Sequence, residues 1–203
     1  MRKRASPDGD GVSEPVRRVV GRNPSRFRGR DRPVDSVSLG DAYEFLRLAG
    51  SDLRLPCEDE WEKAARAGTK TIYWWGDEFE PGPVNCLGGG KQRRGAGGTN
   101  EVTGAVANPF GLLDILGNVG EWVGNGWVDC RRHGHRLGGD VWKVDDSSMG
   151  IVCGGSWRDP PMLLRCSERM ASPVGDRRPF VGFRVARDVL TFINVIDVSG
   201  EAR

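Results

Sequence analysis

Two segments of the chain carry the apolar spacing of amphipathic helices, and the first runs from Ser38 to Gly50. Its apolar side chains recur at intervals of three and four residues, which places them on one helical face: Ala42, Phe45, Leu46 and Ala49. Ser38 has the side chain of a helix N-cap, with Asp41 three positions further on, and Gly50 is suited to end the helix. The pattern therefore predicts a helix with one buried face.

The second predicted helix runs from about Glu58 to Ala67 and is followed by a glycine stop at Gly68. Its buried face consists of Trp61, Ala64 and Ala65. Cys57 stands at the N-cap position, where sulfur is a poor hydrogen-bond acceptor, although Glu60 can still return a bond to the Cys57 N–H. We expect this half-formed capping box to cost about 1 kcal/mol relative to a threonine cap.

The rest of the chain alternates short apolar runs with glycine and proline, which predicts short strands and many turns. Residues 72–76 (IYWWG) fit either a strand or a buried aromatic turn. Between Gly154 and Arg187 we expect the last strands of a sheet, with Trp157 filling the centre of the domain. The 30 glycines and seven tryptophans agree with a turn-rich fold built on large aromatic anchors.

The densest pattern lies in residues 108–127 (NPFGLLDILGNVGEWVGNGW). Within eight residues it offers two carboxylates and two backbone carbonyls, at Asp114, Gly117, Val119 and Glu121. Oxygen-only ligands of this kind suit a hard cation such as Ca²⁺. The alternative is that the leucines and tryptophan of this stretch are core residues, with the two acids solvated or capping a turn.

Charge is unevenly distributed along the chain. Residues 1–35 contain ten Lys or Arg against five Asp or Glu, although the whole chain has a net charge of only +2. A basic tail can indicate nucleic acid or an anionic membrane, but Phe27 is the only aromatic residue interleaved with this one. We therefore interpret residues 1–20 as a flexible basic leader, in which Glu14 to Val20 could form a short strand, and expect no nucleic acid or membrane partner.

The five cysteines, at positions 57, 86, 130, 153 and 166, cannot all pair with one another, and none has CxxC spacing. This indicates a reducing compartment with cysteines used mainly for packing. No secretory signal is visible, and no apolar run is long enough to span a membrane, so a cytoplasmic location is expected. Cys130, His133 and His135 fit either a transition-metal site or a surface loop, and the lack of a further spaced ligand favours the loop.

Four blocks of sequence carry a family resemblance. They are PVDSVSLGDA at residues 33–42, LRLPCEDEWEKAARAG at 53–68, GLLDILGNVGEW at 111–122, and a last block from GGSW at Gly154 to GFRVAR at Arg187. In order and spacing they resemble the formylglycine-generating enzyme family, also called sulfatase-modifying factor domains. The resemblance covers residues 21–187 and leaves 188–203 as a C-terminal extension, which could be an added strand or a partner contact.

The resemblance implies an α+β, C-type-lectin-like fold with two main helices and small antiparallel sheets. The family normally opens with strands and a short helix that have no counterpart here, so we expect that the N-terminus is truncated, that the chain is a fragment, or that residues 14–20 supply a substitute strand. Arg165, Arg169 and Arg184 match family arginines, and we expect them to pair with acids such as Glu121 or Asp59.

The resemblance also bears on metal ions. Positions that match Asp114, Gly117, Val119 and Glu121 ligate calcium in the family, so a structural calcium ion is expected at this loop. Asn85 and the carbonyl of Cys86 match positions that help to hold a second calcium ion. The acid that would complete this second site is not evident in the sequence.

The oxidative chemistry of the family depends on copper bound by two thiols that follow the GGS motif. Counted from Ser156, the matching positions are Asp159 and Leu164, and an alignment anchored on Arg165 moves the nearer one to Pro161. Neither alignment gives a cysteine, so copper is not expected. Cys153 and Cys166 flank the region and are the remaining catalytic candidates. An iron-dependent relative would need three histidines, and the chain has two.

Two hypotheses of different class follow. The first is a calcium-stabilised, non-catalytic or divergent module that binds a protein or peptide partner through an exposed face. The residues that match the variable binding face of ligand-binding relatives include Trp157, Arg158, Asp159 and Met162, although Trp157 also fits a buried position. The second is an oxidoreductase that modifies a cysteine of a partner protein with an altered metal site.

Overall fold

The fold was analysed in a computed structural model, which describes residue 16 and residues 21–50, 52–80, 84–89, 97–102, 105–126 and 149–187. Two α-helices lie in the first half of this part of the chain: α1 spans Leu39–Ala49 and α2 spans Glu58–Arg66. Both helices therefore lie where the apolar periodicity predicts them.

The first helix is capped as the sequence predicts. The Asp41 N–H donates to the Ser38 hydroxyl at 3.1 Å, and the Asp41 carboxylate accepts the Ser38 N–H at 2.9 Å. At α2 the Glu60 carboxylate accepts the Cys57 N–H at 2.9 Å, so the returning half of that capping box is present. The N-cap side chain there is a sulfur, a weaker acceptor than a hydroxyl.

Six short strands make up the sheets in the described part of the chain. Their bounds are β1 Leu53–Arg54, β2 Gly120–Gly126, β3 Met149–Cys153, β4 Arg169–Pro173, β5 Val181–Phe183 and β6 Ala186–Arg187. The main sheet has the order β4-β3-β2-β5, while β1 and β6 form a separate antiparallel pair. The expected small antiparallel sheets are present with one exception, because β2 and β5 run parallel.

The main sheet carries a hydrophobic core on each face. Successive residues of a strand point to opposite faces, so Trp122 and Val152 join the core that contains the apolar face of α1. Val123 and Ile151 join the other core, together with Trp61 of α2. This two-sided burial fixes the start of β2 at the centre of the domain.

The aromatic segment at residues 72–76 is a turn, not a strand. Tyr73 and Gly76 form an isolated bridge through hydrogen bonds of 2.9 and 3.2 Å between their backbone groups. The Tyr73 ring is buried and stacks on Trp75 with ring centroids 4.8 Å apart. Of the two readings that the sequence left open, the buried aromatic turn is correct.

Several predictions fall outside the described residues: Cys130, His133, His135 and the extension 188–203. Most of the leader lies outside them as well, but Val16 is described. It is helical and buried in the core beside α1, not part of the short strand suggested for residues 14–20. Within the described ranges no helix has the length and apolar character needed to cross a membrane.

Candidate functional site

The loop that leads into β2 takes its shape from three left-handed residues. Asp114, Gly117 and Asn118 have φ angles of 48°, 79° and 62°. Only glycine fits at position 117, because a Cβ atom there would lie 2.7 Å from the backbone oxygen of Asn85. The loop is thus folded tightly against the segment that contains Asn85.

Asn118 is the centre of the hydrogen bonds in this loop. Its backbone N–H donates to the Asn85 carbonyl at 2.8 Å, and its side-chain amide donates to Asp114 Oδ2 at 2.9 Å. The amide oxygen accepts the Asn100 N–H at 2.8 Å, and the backbone carbonyl accepts the Trp157 N–H at 3.0 Å. One fully buried asparagine therefore joins four separate segments, a role that the sequence analysis did not assign to it.

Glu121, at the start of β2, holds a buried ion pair. Its carboxylate accepts two hydrogen bonds from Arg184, each 2.6 Å long, and one of 2.6 Å from the indole N–H of Trp61. The charge of Asp114 also acts on Arg184, which donates a further hydrogen bond of 3.3 Å to the Leu113 carbonyl. The expected pairing of Arg184 with Glu121 is confirmed, whereas Arg169 pairs with Glu58 instead of Asp59. Arg165 pairs with Glu168 near the surface.

The donor set predicted for calcium is entirely oxygen, which fits a hard cation. Asp114 and Glu121 supply carboxylates, and the carbonyls of Gly117 and Val119 accept no backbone hydrogen bond from the described loop residues. A calcium ion here would have to share Glu121 with Arg184. The donor chemistry suits the ion, but Arg184 already neutralises one of the two acids, and calcium at this loop stays a prediction.

The residues of the suggested second calcium site are engaged in local structure. The Asn85 amide donates to the Gly98 carbonyl at 3.0 Å and to the Asn118 amide oxygen at 3.3 Å. The Cys86 carbonyl accepts the Gly89 N–H at 3.3 Å. These contacts brace the loop at the start of β2, and the second calcium ion stays a prediction.

The cysteines near the GGSW motif are buried. Cys153 and Cys166 lie in the core beside α2, and Cys86 lies in the same core. Burial raises the pKa of the Cys166 thiol to about 11, and that of Cys86 to about 11, while the pKa of Cys153 is raised further. Thiols with such pKa values are protonated at neutral pH, whereas nucleophilic attack and metal binding need the thiolate.

The two positions that match the copper-binding thiols of the family have a different chemistry here. Asp159 accepts a hydrogen bond of 2.5 Å from the buried Ser156 hydroxyl. Leu164 is fully buried in the core beside α2. An acid directed onto a serine and a packed leucine offer copper no pair of soft ligands. In the described part of the chain, moreover, no three His, Cys, Asp or Glu side chains are grouped so that they could hold a metal ion together.

The predicted binding-face residues differ in exposure. Met162 is 67% exposed, the highest value among the large apolar residues described, and Arg158 is also exposed. Trp157 is half-buried at the edge of the core beside α1, so the prediction that it fills the centre of the domain is wrong. Trp61 and Trp122 are fully buried and occupy that centre. Asp159 is half-buried and directed inward.

The segment at residues 25–35 contributes to this face, which the sequence analysis missed. The buried Asp35 carboxylate accepts the N–H groups of Arg26 and Phe27 at 2.7 and 3.2 Å. The Phe27 ring then meets the Trp157 ring edge-on, with centroids 5.7 Å apart. An acid placed a few residues after an arginine-rich stretch was the available signal, but a long-range ring contact is not visible in sequence.

The fold and this loop together define a domain with a two-sided sheet and a tightly braced turn at the start of its central strand. The chain belongs to the sulfatase-modifying factor enzyme 1-like domain family, whose model matches residues 10–189. The resemblance stated from the motifs is therefore confirmed.

Two curated relatives illustrate the range of the family. The formylglycine-generating enzyme of Mycobacterium tuberculosis is 46% identical over 99 residues, which cover 45% of this chain and 32% of that protein. The inactive C-alpha-formylglycine-generating enzyme 2 of Bos taurus is 31% identical over 189 residues, covering 85% of this chain and 57% of that protein. The chain thus spans between about a third and just over half of the length of these relatives.

Among solved structures, Treponema denticola variable protein 1 is similar with a TM-score of 0.64 and 23% sequence identity, covering 88% of this chain and 83% of that one. Structural similarity at this level of sequence identity is evidence for a shared fold alone. The expected α+β, C-type-lectin-like fold of the formylglycine-generating-enzyme type is confirmed.

Proposed function

We propose that this chain is a non-catalytic member of its family, a calcium-stabilised module that binds a protein or peptide partner. The observation that carries the proposal is the site after the GGSW motif. Counted from Ser156, Asp159 bonded to Ser156 and a buried Leu164 stand where the family resemblance calls for two thiols, and the alignment anchored on Arg165 places Pro161 at the nearer position, which is not a thiol either. A scaffold can lose its catalytic residues and keep the loops that contact partners.

The comparisons support this proposal. A relative that is named inactive matches 85% of the chain at 31% identity, so a member of the family can keep the fold without the activity, although a formylglycine-generating enzyme of Mus musculus matches a similar share, 86%, at 28% identity. The remaining thiols near the site are buried and have raised pKa values. The burial of these thiols favours a retained frame without copper chemistry.

Calcium binding at the loop before β2 belongs to the same proposal. The ion would be held by the carboxylates of Asp114 and Glu121 and by the carbonyls of Gly117 and Val119. Arg184 neutralises one of the two negative charges, and the ion would neutralise the other. An ion that binds only the folded chain adds stability in proportion to the logarithm of its concentration. Bound calcium would therefore tie the turn to β2 without taking part in any reaction.

The alternative function is an oxidoreductase that acts on a cysteine of a partner protein. One observation favours it: Cys153 and Cys166 lie in the same core cluster. For catalysis both thiols would have to become accessible and lose their protons, against the burial that raises their pKa values.

Copper retention separates the two functions. The chain is reduced, loaded with Cu(I), passed through a desalting column and analysed for copper beside the Cys153→Ser/Cys166→Ser double variant. We expect equal, substoichiometric copper in both proteins. One copper per chain in the wild type that disappears in the double variant would overturn the non-catalytic function.

A further inference from the structure

Arginine and aromatic side chains meet on one surface beside the GGSW motif. We call it the arginine–aromatic face and define it by Arg26, Phe27, Trp157, Arg158 and Phe180. The Arg158 guanidinium lies 4.5 Å from the centroid of the Phe180 ring, and that of Arg26 lies 5.6 Å from the Phe27 ring. The edge-on contact between Phe27 and Trp157 joins the two pairs.

The aromatic rings of this face are held firmly. The Trp157 indole N–H donates to the Pro179 carbonyl at 3.2 Å, and the Phe180 ring is buried. The Phe27 ring packs against Gly98, where a Cβ atom would come within 2.7 Å of it. Arginines that rest on fixed rings lose less side-chain entropy on binding than arginines that extend freely into water.

The face is positively charged and one of its guanidiniums is available. Residues 21–32 contain five arginines and one aspartate. Within the described ranges, Arg158 makes no ion pair with a carboxylate, because the neighbouring Asp159 is directed onto Ser156. Arg178, which also lies over the Phe180 ring, is neutralised by Asp176.

We propose that the arginine–aromatic face binds an acidic peptide segment of the partner, with Arg158 as the anchor for a carboxylate. The inference rests on the proposed partner-binding function and names the chemistry of the partner. A guanidinium offers a planar fork of N–H donors that matches a carboxylate, and the surrounding arginines attract an acidic chain over longer distances.

Single-stranded nucleic acid is the competing anion, and the geometry disfavours it. Nucleic-acid-binding grooves present bare aromatic faces on which bases stack. Here the Phe180 ring is buried beneath Arg158, and the Phe27 and Trp157 rings are half-buried against each other. The rings support arginines and leave little flat surface for a base.

The test measures fluorescence anisotropy of three labelled probes with the full chain at low and moderate salt. The probes are a ten-residue peptide of alternating Glu and Ser, the same peptide with Gln in place of Glu, and a thymidine decamer. Three variants accompany the wild type: Arg158→Gln, Arg158→Lys, and Arg47→Gln as the control. Arg47 is an exposed arginine of α1 that pairs with Glu44, so its loss changes the net charge equally at a distant place.

We expect the Glu peptide to bind in a salt-dependent manner and the Gln peptide not to bind. Arg158→Gln should weaken the Glu peptide about tenfold, as expected for an anchoring arginine, and Arg158→Lys should lose most of the same factor because lysine lacks the fork. Arg47→Gln should change binding less than twofold. Equal losses in Arg158→Gln and Arg47→Gln, or tighter binding of the thymidine decamer than of the Glu peptide, would overturn the inference.

Selection of a random peptide library on the immobilised chain distinguishes a failure of the acidic-peptide inference from a failure of the proposed partner-binding function. Enrichment of acidic peptides that depends on Arg158 supports both. Enrichment of peptides without acidic bias refutes the acidic partner and leaves partner binding intact. Copper-dependent oxidation of a cysteine peptide refutes the non-catalytic function and does not bear on the acidic partner.

Discussion

Replacing Glu121 by glutamine should destabilise the domain more than any other single change at the candidate calcium loop. The wild-type carboxylate is 6% exposed and accepts three hydrogen bonds of 2.6 Å from Arg184 and Trp61. Glutamine keeps the size of the side chain but removes the charge that pairs with the Arg184 guanidinium, whose side chain is only 25% exposed. Breaking a buried ion pair by removing one partner costs roughly 3 kcal/mol or more.

For a domain of this size, that loss should lower Tm by roughly 6–12 °C. Urea unfolding followed by circular dichroism gives the free energy of unfolding, and calorimetry gives Tm. Both should be measured in a chelator and in millimolar calcium. Because the Arg184 contact does not involve calcium, the destabilisation should persist in the chelator.

The Asp114→Asn variant is the matched comparison. Asp114 accepts a hydrogen bond from Asn118 at 2.9 Å, and losing that bond in the chelator should cost about 1 kcal/mol. In calcium, both variants should lose the stabilisation that the ion gives the wild type. A free energy of unfolding for Glu121→Gln within 1 kcal/mol of the wild type in the chelator would refute the role assigned to the ion pair.

Three further changes test other parts of the structure. Cys57→Thr should raise the free energy of unfolding by about 1 kcal/mol, because threonine completes the capping box. Cys57→Val should not raise it, because valine has the shape of threonine but no hydroxyl. Burial acts to raise the pKa of Asp41, but hydrogen bonds from Arg177 and the N-cap lower it below its ordinary value of 3.8. The stabilisation that results is complete above pH 3.8 and is lost as the pH falls through the pKa of Asp41 in the folded chain. Arg177→Gln should therefore raise the pKa of Asp41, which carboxyl NMR titrations measure. Acid unfolding of this variant should also begin at a higher pH than that of the wild type. Gly117→Ala should lower the free energy of unfolding by more than about 1 kcal/mol, because φ at this position is positive and the Asn85 carbonyl leaves no room for a Cβ atom. A thermal unfolding curve unchanged from the wild type would refute the tight turn.

The helices could be predicted from the sequence because their signals are local. Ser38 and Asp41 cap α1 through bonds between residues three positions apart, and the apolar spacing fixes which face is buried. The pairing of Arg184 with Glu121 joins residues 63 positions apart and was expected only through the family resemblance. The local sequence pattern is therefore enough to predict the helices, whereas the ion pair at the centre of the domain was predicted from the family motifs.

The face beside the GGSW motif could not be predicted in the same way. Trp157 is large and follows two glycines, which favours a central position, yet Trp61 and Trp122 fill the core and Trp157 lies at its edge. Its partner Phe27 comes from a segment 130 positions earlier. Which of several tryptophans occupies the centre depends on tertiary packing, and no local spacing encodes it.

We propose that this chain keeps the frame of the formylglycine-generating enzyme family without its copper thiols. The most direct test of this proposal is incubation of the Cu(I)-loaded chain with a cysteine-containing peptide in air, with mass spectrometry to detect an aldehyde in place of the thiol. We expect the peptide to be no more oxidised after incubation with the chain than after incubation with copper alone. Aldehyde formation that needs the chain and disappears in the Cys153→Ser/Cys166→Ser variant would contradict it.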